Sequence, residues 1–96
     1  MARVVDQGRK RARDNAINSL AMARNYVATM KDKCAELEAI TRNSVGGHVI
    51  GDQMALRIAN SVDQLAQSEA RLREAGRCAQ GIDVTIEVPD PEQSHG

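Results

Sequence analysis

Any chemistry in this 96-residue chain must come from a short inventory: two histidines, two cysteines, one glycine-rich stretch and one basic run. His48 and His95 stand at no metal-ligand spacing from each other, from Cys34 and Cys78, or from paired carboxylates. A zinc site needs such a cluster and a general base needs a partner within reach, so neither is indicated. No Ser-His-Asp or Cys-His set can be argued, and a bare hairpin offers no evident pocket in which to activate a nucleophile. The glycine-rich stretch "NSVGGHVIGD", Asn43 to Asp52, lacks the Gly-Lys-Ser/Thr ending and the preceding strand of a phosphate loop. It reads as a bend. The chain is therefore read as non-enzymatic, with no metal, no cofactor and no small-molecule substrate.

The basic run "GRKRARDN" places Arg9, Lys10, Arg11 and Arg13 within five residues, close to the expected start of a helix. Positive charge there opposes the helix dipole and calls for an anionic neighbour. One candidate is internal: Asp83, Glu87, Asp90 and Glu92 give the far end of the chain the opposite sign, although the whole is formally neutral. The other is phosphate, with a basic helix meeting nucleic acid loosely as in basic-region zippers. Four bases at steps of one, one and two fan around a helix, and no aromatics are interleaved to stack on bases. The internal or protein-partner reading is preferred, with nucleic-acid binding as the alternative.

The elements that position these groups follow from apolar period. Ala16, Leu20, Ala23, Val27, Met30, Cys34 and Leu37 alternate at steps of four and three; so do Met54, Ile58, Ser61, Leu65, Ser68, Leu72, Ala75 and Ala79. Two heptad seams separated by Gly46-Gly47 predict an antiparallel helical hairpin, coiled-coil-like, with positive φ at the glycines and Asp52 as N-cap of the second helix. Folding at the bend sets positions summing to 95 opposite one another, pairing Leu20 with Ala75 and Met30 with Leu65. Arg24 then falls near Glu69, and Tyr26 near Arg71. Cys34 is a small thiol on this seam, and a bridge to Cys78 is out of reach. After Gly81, "IDVTIEVP" alternates with period two and predicts a strand, for which Arg3-Val4-Val5 is the local partner.

The expected layout is an N-terminal segment at 1–8 and a hairpin at 9–81, with helices near 9–44 and 52–80 around a bend at 45–51. A strand-like segment at 82–88 and a mobile acidic tail at 89–96 complete it. Ala21, Ala28 and Ala35 recur every seventh residue beside the seam, as do Ala59 and Ala66 on the second helix. With Ile40 and Val62 nearby, this face is expected to pack on another hairpin as a homodimer or on a partner protein, completing a four-helix bundle. Ile82, Val84, Ile86 and Val88 are the expected strand contacts, with a mate or with a partner's sheet. No apolar run nears the ~18 residues needed to cross a bilayer, and the opening residues lack a secretory core. Together with unpaired cysteines, this points to a cytoplasmic protein with no membrane association. Two helices about a glycine-bearing bend resemble, in architecture, the small hairpins of the WXG100 (ESAT-6-like) family, which implies a secreted adaptor or effector as a further alternative. Val45-Gly46-Gly47 stands where that family has Trp-x-Gly, and no tyrosine follows the second helix to form its export signal.

Overall fold

The computed structural model describes residues 2–89, so the expected acidic tail lies, from Asp90 onward, outside the described residues. The order is β1 (Ala2–Val5), α1 (Gln7–Val45), α2 (Val49–Gln80) and β2 (Thr85–Val88). The two helices form an antiparallel hairpin, and the strands form a two-stranded antiparallel sheet at its base.

Local chemistry sets each boundary. Asp6 caps α1 by accepting the Arg9 backbone N–H at 3.0 Å, which satisfies an orphan donor and starts the helix at Gln7. At the bend only Gly47 has positive φ (89°); Gly46 is extended. Gly46 serves a different need, because a Cβ there would run into the Arg42 carbonyl oxygen, whose helical bond the Gly46 N–H closes at 3.0 Å. Asp52 is not the N-cap of α2. His48 holds that position without a side-chain bond, and Asp52 sits in the first turn. Its Oδ1 accepts the Gly47 N–H at 3.1 Å, so a carboxylate still faces the positive end of the helix.

The seam between the helices is rotated from the expected one. On α1 the more enclosed positions are Arg13, Asp14, Ile17, Leu20, Ala23, Arg24, Val27, Ala28, Lys31, Cys34, Glu38 and Thr41, most of them in the columns through Leu20 and Arg24. On α2 they are Gly51, Ala55, Ile58, Ala59, Val62, Leu65, Ser68, Glu69, Leu72, Gly76 and Ala79, most of them in the columns through Ala55 and Ile58. Each helix keeps one predicted column and exchanges the other for its neighbour, so Leu20 and Leu65 stay inside while Met30 and Ala75 turn outward. Met30 is 54 % exposed, Leu37 50 % and Met54 49 %. The physical reason lies at the bend. A Cβ on Gly51 would overlap the Val45 carbonyl oxygen and lie 2.7 Å from Val45 Cγ2, so the backbones meet there at a distance only glycine allows. Counting outward from that contact sets Thr41 against Ala55, Cys34 against Val62 and Leu20 against Gly76. Small residues on α2 thus let the helices approach closely at Gly51 and Ala55, whereas around Gly76 there is open space.

The strand at the C-terminal end finds its partner in the chain itself. β1 and β2 pair Ala2 with Val88, Arg3 with Glu87, Val4 with Ile86 and Val5 with Thr85. The alternation puts Ala2, Val4, Ile86 and Val88 on one face and Arg3, Val5, Thr85 and Glu87 on the other. Asp6 N–H donates to the Val84 carbonyl at 2.8 Å and ties the sheet to the start of α1.

The fold encloses little. Among the described residues the buried side chains are Ala55, Ala79, Val84 and Thr41, and no large side chain is fully buried. The radius of gyration is 23.5 Å, against about 12.5 Å for a compact domain of this length. Gly51→Ala is expected to lower unfolding free energy by ~1–3 kcal/mol through overlap with Val45. Gly76→Ala, with nothing within 4 Å of its added Cβ, is expected to raise it by up to ~1 kcal/mol through helix propensity. Urea unfolding of the two variants against the parent checks both signs.

Candidate functional site

Three features of this geometry can carry function: a polar cluster within the seam, the two long faces flanking the seam, and the base where strands meet the basic run.

The polar cluster centres on Glu69. Its Oε2 accepts Lys31 Nζ at 2.7 Å across the hairpin, and Arg73 approaches its other oxygen at 4.0 Å from the next turn. The expected partner, Arg24, makes no ion pair with it. Arg24 Nε is instead buried without a hydrogen-bond partner among the described residues. The hydrogen bond from Lys31, followed by the charges of Lys31, Arg73 and Arg24, holds the Glu69 carboxyl below its ordinary range against the opposing effect of burial. Beside the cluster a cleft of about 270 Å³ opens between the helices, lined by Ile17, Leu20, Ala21, Arg24, Arg73, Gly76, Arg77 and Gln80. Three guanidinium groups over an apolar floor suit a carboxylate or another small anion.

The cleft also orients the molecule. Ala21 on α1 lines it together with Arg73 and Arg77 on α2, so the flanks bearing these residues share one face. Heptad spacing places Ala28 and Ala35 above Ala21, and Ala66 and Ala59 above Arg73, giving one alanine-rich face. Val62 sits in the seam at its centre. Ile40 does not belong to it: five residues from Ala35 is about 140° around the helix, and Ile40 is exposed on the other side. The opposite flanks form a second face, with Met30 and Leu37 on α1 and Met54 on α2, all half exposed. Sequence reasoning assigned those three residues to the interior because apolar period does not say which of two adjacent columns faces the partner helix.

At the base, Arg3 on β1 is the main cation facing β2. It donates to Asp83 Oδ2 at 2.9 Å and to Thr85 Oγ1 at 2.9 Å, and lies 3.5 Å from Glu87. Of the basic run, Arg9 donates to the Thr85 carbonyl at 3.2 Å and Arg13 pairs with its neighbour Asp14. Lys10 and Arg11 line a shallow depression with Gln7, Asp14 and Asn15. The four bases do not converge on one surface. Of the strand residues, Val84 is buried, Ile82 is exposed beside Arg9 and Asp83, and Ile86 and Val88 lie opposite Val4 and Ala2 in the sheet. The bonds donated by the Thr85 hydroxyl and backbone N–H, ahead of the charge of Arg3, lower the Asp83 carboxyl. Cys34 lies in the seam, Cys78 is exposed, and both are free thiols.

Among the described residues there is no group of three or more candidate metal ligands, and no helix is long and apolar enough to cross a membrane. Compared with known proteins, the chain matches no family model, no curated protein and no solved structure.

The sign of the pH dependence follows from the two lowered carboxyls. A carboxyl depressed in the folded state contributes stability that is present above its unfolded value and is lost as pH falls through the folded one. For Glu69 that window opens below the ordinary value of 4.5. The melting temperature of the parent is expected to fall on acidification through this range. Glu69→Gln is expected to be less stable at pH 7 and to show a shallower acid limb, with Asp83→Asn removing a separate part of the slope.

Proposed function

We propose that the chain is a non-enzymatic association module, a hairpin that completes a four-helix bundle by pairing with a second copy through its alanine-rich face. The observation that carries this reading is the unfilled interior. The accessible surface is 7161 Å², against about 5400 Å² expected for a folded monomer of 10.4 kDa, and no large side chain is fully enclosed. The excess exceeds the roughly 800 Å² per partner that a standard stable interface covers.

The distribution of charge on the alanine-rich face supports a second copy as its occupant. On α2 the column through Ala59 and Ala66 begins with Asp52 near the bend and reaches Arg73 and then Gln80 near the base; the adjacent column carries Asp63 and then Arg77. On α1 the column through Ala21, Ala28 and Ala35 runs the other way, from Asp14 near the base to Arg42 near the bend, so each column taken singly is complementary to its own copy turned end for end. That is the isologous arrangement of a twofold dimer. The small side chains between the charges allow the backbones to approach closely, and carboxylates of the second copy meet the arginine-lined cleft. The sheet at the base retains an outer edge on each strand, which a mate or a partner's sheet can extend.

Light scattering at micromolar concentration is expected to give the mass of a dimer. Ala28→Glu combined with Ala66→Glu places charge at the middle of the face and is expected to weaken self-association at least about tenfold, with helicity by circular dichroism retained. A well-folded monomer for the parent chain, with that double variant no different, would end this reading.

A further inference from the structure

We propose that the second face, the one bearing Met30, Leu37 and Met54, is a docking groove for an acidic amphipathic helix of a different protein. Its four heptad columns, through Met30 and Tyr26 on α1 and through Met54 and Arg57 on α2, contain no aspartate or glutamate. They contain Lys33 on one rim and Arg57 and Arg71 on the other. Every acidic residue of the two helices falls in the seam, on the alanine-rich face or along the outer edges. Lys33 has a loose contact with Glu36 at 3.9 Å, and Arg57 and Arg71 have no ion pair among the described residues.

The three candidate occupants are separated by this pattern. A second copy would bring Lys33, Arg57 and Arg71 against the same three charges, and like charges across an interface oppose association. An anionic lipid surface would meet the basic rims, but the polar Ser61 and Ser68 at the middle of the α2 side interrupt the apolar strip that hydrocarbon would cover, even though the Ser61 hydroxyl donates to the Arg57 carbonyl at 3.2 Å. A helix resolves both. Its apolar ridge lies along Met30, Leu37 and Met54, its backbone approaches over the small Ala23, Ser61 and Ser68, and acidic side chains on its two shoulders reach the basic rims. Exposed methionines suit such a surface, since their unbranched chains repack around an incoming ridge.

Tyr26, the sole aromatic residue, is 67 % exposed on this face and reports occupancy through its fluorescence. The test uses the full chain and two synthetic helical peptides of about 21 residues without aromatics, identical at their leucine ridge. One carries glutamate and the other lysine at the flanking heptad positions. The glutamate peptide is expected to bind at least about tenfold more tightly than its lysine twin at low salt, and the gap is expected to narrow as salt screens the rims. Combined Lys33→Glu, Arg57→Glu and Arg71→Glu is expected to reverse the preference, and Met30→Ser with Leu37→Ser to weaken both peptides. Equal binding of the twins, or a preference unchanged by the triple reversal, overturns the proposal. So does binding to phosphatidylglycerol vesicles with no binding of the glutamate peptide. Light scattering on the same variants reads self-association separately: an unchanged dimer keeps the two faces distinct, whereas loss of the dimer in Met30→Ser with Leu37→Ser assigns this face to the second copy and overturns the proposal.

Discussion

How closely the two helices approach at Val45 and Gly51 decides what the rest of the hairpin shows to its surroundings. Glycine at 51 permits a contact that any side chain would block, and that contact sets the register of everything toward the base. With the register set, Ala55 and Ala79 fall buried on the α2 side of the seam and let the helices approach there, while Gly76 faces the open cleft. A narrow seam has little room for bulk. Met30, Leu37 and Met54 are displaced to a flank, and Lys31, Glu69 and Arg24 occupy seam positions where a wider pair would hold leucines. Close approach near the bend and exposed apolar residues outside are consequences of one arrangement.

The polar seam has its own effect on specificity. Ionic groups between helices are a poor source of stability compared with packed apolar residues, because desolvation offsets much of the attraction. They are better at selecting one alignment, since a slip by one heptad would separate Lys31 from Glu69 and leave both charges half enclosed. The hairpin therefore combines a weakly stabilising interior with a well-defined register. At the base, the sheet and the Arg3 contacts to Asp83, Thr85 and Glu87 hold the two chain ends together and prevent the open end of the hairpin from splaying. A two-stranded sheet is marginal by itself and depends on the helices it closes, as they depend on it.

Sequence pattern carried the architecture well and the faces poorly, and the difference has a physical origin. Periods near 3.5 and 2 separate helix from strand regardless of context, so the hairpin, the bend at Gly46-Gly47 and the pairing of Val4 with the C-terminal strand were all legible. The cap at Asp6 was legible only in part, because an aspartate before a helix is a common cap while Gly8 and the basic run at 9–13 weaken the helix signal in the first turns. The rotation of the seam was not legible. Each helix has two adjacent columns suited to burial, and choosing between 30/37 and 31/38 on hydrophobicity favours the first. The choice made in the structure depends on which pairs of small residues meet across the seam, a property of two helices together that no single-helix period contains. Ile40 was misassigned to the alanine-rich face for the related reason that nearness in sequence is not nearness around a helix.

Two faces of unlike character on one thin hairpin bear on how an assembly would be ordered. The alanine-rich face carries both signs of charge between small side chains, so recognition there would rest on close backbone approach and matched charge. The methionine-bearing face exposes the larger side chains of Met30, Leu37 and Met54 and a single sign of charge, so an uncharged or acidic ridge would gain there and a second copy would not. With a dimer formed through the first face, the second would be displayed outward twice, once on each side of a four-helix core. A module built this way presents two equivalent grooves related by the same twofold axis, and a partner bearing two copies of an acidic helix would be held more tightly than either groove holds one.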